Sequence, residues 1–198
     1  MSEEMAWILQ AQRGSDEAFT RLVETYQTPV YNLCYRMLSE PEAAEDAAQE
    51  SFLRAYQNLD RYDTSRPFRT WLLSIAAHHC IDRLRRRHFV NVSVDDDESP
   101  MELPDPAAPN PEAETVKREE QQRLHGVLQE LDATDRAAVV MRYWNDLSEA
   151  EIAEALSLTV SAVKSRLFRA RRALAKAWQE ENASANQVER RRHESPAF

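Results

Sequence analysis

The sequence predicts an all-α protein: two small helical domains joined by a flexible acidic linker. Three observations carry this expectation. Only two of the 198 residues are glycine, Gly14 and Gly126, too few for a sheet protein rich in tight turns. Apolar residues recur at three- and four-residue spacing through most of 15–88 and 118–174, the period of a helix with one buried face. Between these segments, residues 89–116 hold eight acidic side chains, no basic one and five prolines, the composition of an extended connector.

The first helix of the N-terminal domain begins at Ser15, a hydroxyl cap followed by Asp16 and Glu17 in the first turn. Phe19, Leu22, Val23 and Tyr26 mark one face, Pro29 interrupts it, and Tyr31, Leu33, Cys34, Met37 and Leu38 continue it. A second helix starts near Pro41 and runs to about Leu59. Ala44, Ala47, Ala48, Phe52, Leu53 and Tyr56 lie largely on one side of it, with Asp46, Gln49 and Glu50 on the other. A polar turn, DRYDTSRP, then leads through Phe68, Arg69 and Trp71 into a third helix. On that helix Leu73, Ala76, Ala77, Cys80, Ile81 and Leu84 share a face, opposite His78, Asp82, Arg85 and Arg86.

In the C-terminal domain, Leu124, Val127, Leu128 and Leu131 face inward on one helix. Ala137, Val140, Met141 and Tyr143–Trp144 lie on the next, with Asp132 and Thr134 at the turn between. Ser148 and Glu151 form the capping-box pair of a short helix with Ile152, Ala153 and Leu156 inside. Thr159 caps a longer helix with Val160, Val163, Leu167, Ala170 and Leu174 at helical spacing. This is a helix-turn-helix pattern in which Ser157 stands where the turn usually has glycine; a left-handed conformation there costs about 1 kcal/mol. The outward arc of the longer helix carries Ser161, Ser165, Arg169 and Arg172, flanked by Lys164 and Arg166. Short polar groups at its start suit base edges in a major groove, and the arginines suit phosphates. The plain alternative is an ordinary helical hairpin with a solvated basic face. These elements divide the chain into 1–88, the linker 89–116, 117–178, and a tail 179–198 with no periodic face, expected to be mobile.

The net charge of −9 is unevenly placed. It divides as −2 in 1–88, −8 in the linker, +2 in 117–178 and −1 in the tail, so the linker supplies nearly all the acidity. Within 61–87, seven arginines face only Asp63 and Asp82, and this local basic stretch suits phosphate whatever the whole-chain charge. Beside it stand Tyr62, Phe68 and Trp71. Rings and guanidinium planes next to a basic face are what exposed bases of single-stranded nucleic acid require, though core aromatics beside a solvated face explain the same residues. The 28 linker residues, 89–116, would reach about 90–100 Å when stretched and about 30 Å as a coil.

Other classes are excluded by composition. Two glycines cannot build a phosphate loop or a dinucleotide fingerprint. There is no HExxH, and Cys34 and Cys80 are far apart with no CxxC, so no metal, cofactor or disulfide framework is expected and a reduced, cytoplasmic setting is. Asp46 and Glu50, four apart, lack a third ligand for a metal site. The opening MSEEMAWILQ has no basic start or apolar signal stretch, and no apolar run approaches a membrane span.

AEDAAQESFLRAYQNLDRYD (44–63), RPFRTWLLSIAAHHCIDRLRRR (66–87), the 147–174 segment and the opening QRGSDEAFTRLVETY together resemble the extracytoplasmic-function, or group 4, sigma factors of bacterial RNA polymerase, in the sigma-70 family. The order also matches: region 2, a linker, then region 4. Departures are Ser157 at the turn, Ala162 where threonine is common, the His78–His79 pair and a longer tail. The resemblance implies a non-enzymatic factor that binds core RNA polymerase and directs promoter recognition, melting and initiation. On the matching positions it implies polymerase docking by Asp46, Gln49 and Glu50. Base capture from the −10 element falls to the loop from Tyr62 to Phe68 with Arg66, and Arg69, Trp71, His78, Asp82, Arg85 and Arg86 line the melted or adjoining DNA. Ser161, Lys164, Ser165, Arg166, Arg169 and Arg172 would engage the double-stranded −35 element. The acidic linker would thread the polymerase's basic RNA-exit path, and an anti-sigma factor is an expected partner. Two alternatives stand beside this reading: a self-sufficient dimeric DNA-binding regulator, against which no heptad helix is visible, and a nuclease, which would require a carboxylate metal cluster.

Overall fold

Helix formation follows the local signals closely. In the computed structural model, residues 2–91 and 124–194 are described. They form α1 (Glu3–Gln12), α2 (Asp16–Leu38), α3 (Pro41–Gln57), a 3-10 turn (Leu59–Arg61) and α4 (Phe68–Asn91). The second group is α5 (124–129), α6 (Ala133–Tyr143), α7 (Glu149–Ala155) and α8 (Val160–Glu194). The acidic residues 95–114 of the linker lie outside the described residues.

The caps fall where the sequence puts them. Ser15 accepts the Ala18 N–H at 3.3 Å, Asp132 accepts that of Thr134 at 2.9 Å, and Thr159 accepts that of Ala162 at 3.1 Å. Ser148 and Glu151 make both bonds of the capping box. These bonds hold the Glu151 carboxyl below its ordinary range, satisfying donors that a helix start otherwise leaves open. Ser157 does take the left-handed conformation, with φ of 54°.

Three elements differ from expectation. Residues 3–12 form a helix of their own, capped by Ser2, which the sequence reading passed over. Pro29 lies inside α2 without ending it, because the helix on either side is held by packing against α1, α3 and α4. Helix α8 continues through the first part of the tail to Glu194, a stretch free of Gly and Pro.

The N-terminal group is built around α2, against which α1, α3 and α4 pack. Helix α3 turns an alanine face inward: Ala43, Ala44, Ala47, Ala48 and Ala55 are all buried, as is Ser51. The absence of bulk lets the neighbouring helices approach closely, and the buried Ser51 hydroxyl is satisfied by the Ala47 carbonyl at 2.5 Å. With alanine filling the inner face, the large residues of α3 are displaced outward. Leu53 is 51% exposed and Tyr56 41%, correcting their expected inward placement. On the predicted face of α4, Leu73, Ala76, Ala77, Cys80 and Ile81 are buried and Leu84 is half-buried.

In the C-terminal group α6, α7 and α8 pack on one another through Val140, Ile152, Val163 and Leu167. The two groups also meet, because α6 packs against α2 and α4, and α7 against α4. Arg136 of α6 is buried at the junction and donates to the Met37 carbonyl near the end of α2 at 2.6 Å. Around it the Arg36 guanidinium lies over the Trp144 ring at 5.1 Å and the Tyr35 ring meets that of His125 at 4.6 Å. The described residues thus form one continuous core spanning both groups.

Candidate nucleic-acid interface

Three surfaces hold the residues singled out by the sequence. The first is the loop between α3 and α4 together with the outer face of α4. Tyr62, Phe68 and Trp71 do converge: ring centroids are 5.4 Å apart for Tyr62–Phe68, 4.8 Å for Tyr62–Trp71 and 5.5 Å for Phe68–Trp71, with Tyr26 5.6 Å from Phe68. The cluster points inward, however. Tyr62 is 5% exposed and Phe68 4%, while Trp71 and Tyr26 are half-buried. The expectation that Tyr62 and Phe68 offer open stacking surfaces is therefore corrected: their rings form the floor of the loop, packed against each other and against Trp71 and Tyr26. Burial pushes the Tyr62 hydroxyl up to about 12, and that hydroxyl donates to the Arg66 carbonyl. Asp63 accepts the Ser65 N–H at 2.9 Å, closing a local turn. The side chains left outward are Asp63, Ser65, Arg66 and Pro67, with Thr64 half-buried.

On α4, His78, Asp82, Arg85 and Arg86 are exposed on one face, and Arg69 is half-buried. His78 is tied by a ring nitrogen to the Ser74 carbonyl at 2.8 Å. Two arginines of this surface lean on the second helical group: Arg66 pairs with Glu154 of α7 at 3.0 Å, and Arg85 reaches the Thr134 hydroxyl at 3.4 Å. Thr70 similarly meets Glu151 at 3.4 Å.

The second surface is the start of α8. Ser161, Lys164, Ser165, Arg169 and Arg172 are all exposed. Lys164 stands 3.6 Å from Glu149, Arg169 stands 4.0 Å from Asp135, and Arg172 lies over the exposed Phe168 ring at 5.8 Å. Arg166 differs from these: it is half-buried and bonded to Asp135 of α6 at 2.5 Å. Position 166 lies three residues after Val163 and one before Leu167, on the flank of the buried stripe, so its guanidinium joins α8 to α6 and does not stand on the open arc.

The third surface is the outer side of α3. Asp46 and Gln49 are exposed and Glu50 is half-buried. Asp46 lies 3.8 Å from Arg83, and Glu50 pairs with Arg54 at 2.7 Å. Beside them runs an apolar groove of about 370 Å³ between α2 and α3, lined by Val23, Gln27, Tyr31, Ala48, Gln49 and Phe52 among others. This groove has no counterpart among the features expected from the sequence. Phe52 lines it while its neighbour Leu53 stands exposed, since adjacent residues point to different sides of a helix.

Comparison with known proteins places these surfaces in a family. Residues 22–89 match sigma-70 region 2, and residues 121–174 match sigma-70 region 4. The extracytoplasmic-function RNA polymerase sigma factor SigW of Bacillus subtilis is 37% identical over 174 residues, covering 85% of this chain and 93% of the relative. The RNA polymerase sigma-H factor of Pseudomonas aeruginosa is 34% identical, covering 85% and 90%. Among solved structures, CnrH in complex with the cytosolic domain of CnrY superimposes with a TM-score of 0.68 at 25% identity, covering 90% of this chain and 99% of that one. The chain belongs to the sigma-70 family, with its two helical groups as regions 2 and 4. Within that family it is an extracytoplasmic-function sigma factor, a non-enzymatic protein that directs RNA polymerase to promoters for initiation. No helix among the described residues is long and apolar enough to cross a membrane.

Proposed function

We propose that this sigma factor divides its task among the three surfaces. The outer side of α3, with Asp46, Gln49 and Glu50 beside the apolar groove, docks on core RNA polymerase. The loop 62–68 with Arg66, together with Arg69, Trp71, His78, Asp82, Arg85 and Arg86, engages the −10 element, while the buried Tyr62 and Phe68 shape the loop from beneath. Ser161, Lys164, Ser165, Arg169 and Arg172 read the −35 element, with Arg166 fixing the helix that carries them. The observation that carries this assignment is the exposed arc of α8. Two serines and three cations are exposed on one side of a helix whose other side is buried against α6 and α7, the arrangement a recognition helix needs.

DNA contact by Arg66 and Arg85 requires release of Glu154 and Thr134, so region 4 moves away from region 2 when promoter is bound. Likeness to CnrH, solved with CnrY, supports a protein partner of the anti-sigma kind. The linker acids follow the polymerase's RNA-exit path as nucleic-acid mimics, and the factor works in the cytoplasm.

The test is to add purified protein to sigma-free core polymerase on a library of genomic fragments. Specific start sites preceded by two shared elements support the assignment; Glu50→Arg should abolish them by weakening core binding while leaving the fold intact. Wild-type core affinity in Glu50→Arg would remove α3 as the dock.

A further inference from the structure

We infer that Gln12, at the end of α1, is a positioning residue for the −10 loop, an assignment that rests on the proposed role of that loop. Its side-chain amide donates to the Leu59 carbonyl at 2.9 Å and to the Tyr62 carbonyl at 3.0 Å. These carbonyls bracket the 3-10 turn that launches the loop, and the Leu59 carbonyl also accepts the Tyr62 N–H at 3.2 Å. Both amide protons of one side chain are thereby spent on a turn 47 and 50 residues away in sequence.

The tie continues into the loop. Gln12 holds the backbone of Tyr62, the Tyr62 ring is packed against Phe68 and Trp71, and its hydroxyl donates to the carbonyl of Arg66. The far end is anchored as well. Ile8 and Ala11 of α1 are buried, and Glu4 accepts a hydrogen bond from the Tyr26 hydroxyl. A path of packed and bonded groups thus runs from the N-terminal helix to the backbone that presents Asp63, Ser65 and Arg66.

The side chain fits this task chemically. Two carbonyl oxygens require two donors, which a primary amide supplies and a carboxylate does not. Leucine has similar bulk but leaves the Tyr62 carbonyl without this donor and the Leu59 carbonyl with the Tyr62 N–H alone. A loop held in one conformation before DNA arrives loses less conformational freedom on capturing a base, so pre-organisation appears as affinity and as strand opening.

The full-length protein with core polymerase provides the test, on a promoter defined by the transcript assay. Gln12→Leu should weaken binding of a single-stranded −10 non-template oligonucleotide about five- to tenfold, the loss expected for one or two neutral hydrogen bonds. Gln12→Glu should weaken it further, and Gln12→Lys, which keeps donors and has no acceptor, should restore part of it. Permanganate reactivity of −10 thymines should fall in the same order, while affinity for core and for −35 duplex stays within about twofold of wild type. Wild-type oligonucleotide binding by Gln12→Leu, alongside a loss in Arg66→Ala, would overturn the role of Gln12 and leave the loop assignment standing. No loss in Arg66→Ala either would overturn the loop assignment itself. Equal losses of core, −35 and oligonucleotide binding in Gln12→Leu, with no rescue by Gln12→Lys, would make the residue merely structural.

Discussion

Replacing Arg136 with methionine should uncouple the two helical groups at a cost of about 2–3 kcal/mol. Arg136 is 6% exposed. It donates to the Met37 carbonyl at 2.6 Å, to that of Gln129 at 2.9 Å and to that of Leu131 at 3.4 Å. The first bond crosses from region 4 to region 2, and the others fasten the turn before α6. Counting only the two short ones, charge-assisted bonds contribute about 3–6 kcal/mol. Against them stand the desolvation of a buried cation, which lowers the Arg136 pKa, and an Nε without a partner, together costing about 1–3 kcal/mol. Methionine retains the apolar stem, so packing losses remain small. With urea slopes of about 1–3 kcal/mol per molar, the unfolding midpoint of the full-length chain, followed by tryptophan fluorescence, should fall by about 1–2 M. Small-angle scattering should show a larger radius of gyration as α6 and α7 leave α2 and α4. A midpoint shift under about 0.3 M with an unchanged radius would refute the reasoning.

Other consequences concern titration, the turn and the recognition helix. Burial, and then the nearby Arg54, hold His79 below its ordinary 6.5, with Arg83 and Arg86 acting alike and Glu50 opposing. The unfolded chain therefore takes up the proton first as pH falls. The stability linked to His79 is full above that ordinary value and declines as pH drops through it toward the lower folded value, and His79→Gln should flatten this part of a melting-temperature profile. Ser157→Gly should raise stability by about 0.5–1 kcal/mol by relieving the left-handed serine, read as a higher melting temperature. Arg169→Ala should reduce the salt slope of −35 binding by about one unit, whereas Arg166→Ala should lower melting temperature by breaking the Asp135 pair; the reverse pattern would exchange the two roles.

What the sequence made legible is local. Ser15, Asp132, Ser148 and Thr159 cap helices because a cap joins a side chain to a backbone N–H two or three residues on. The inner stripes of α4 and α8 follow from a period of 3.6, and the exposed arc of Ser161, Lys164, Ser165 and Arg169 is the complement of such a stripe. The missed α1 is the exception: its apolar face is short, and it is held by packing against α2 and by Gln12 reaching the Leu59 and Tyr62 carbonyls.

Tertiary structure alone decided which large and charged groups remain available. Tyr62 and Phe68 carry the side chains of a stacking platform, yet Trp71 of α4 and Tyr26 of α2 pack against them and take up those faces. Leu53 looks like core but is displaced by an inner face of alanines. Arg166 and Arg169 are the same residue type three positions apart, yet Asp135 takes Arg166 into the α6–α8 junction at 2.5 Å while Arg169, 4.0 Å from the same carboxylate, stays exposed. Periodicity determines which way a side chain points from its own helix. What it meets there depends on segments brought together from tens of residues away, as Arg136 meets Met37 across 99 positions, and contacts of that range leave no spacing in the sequence to read.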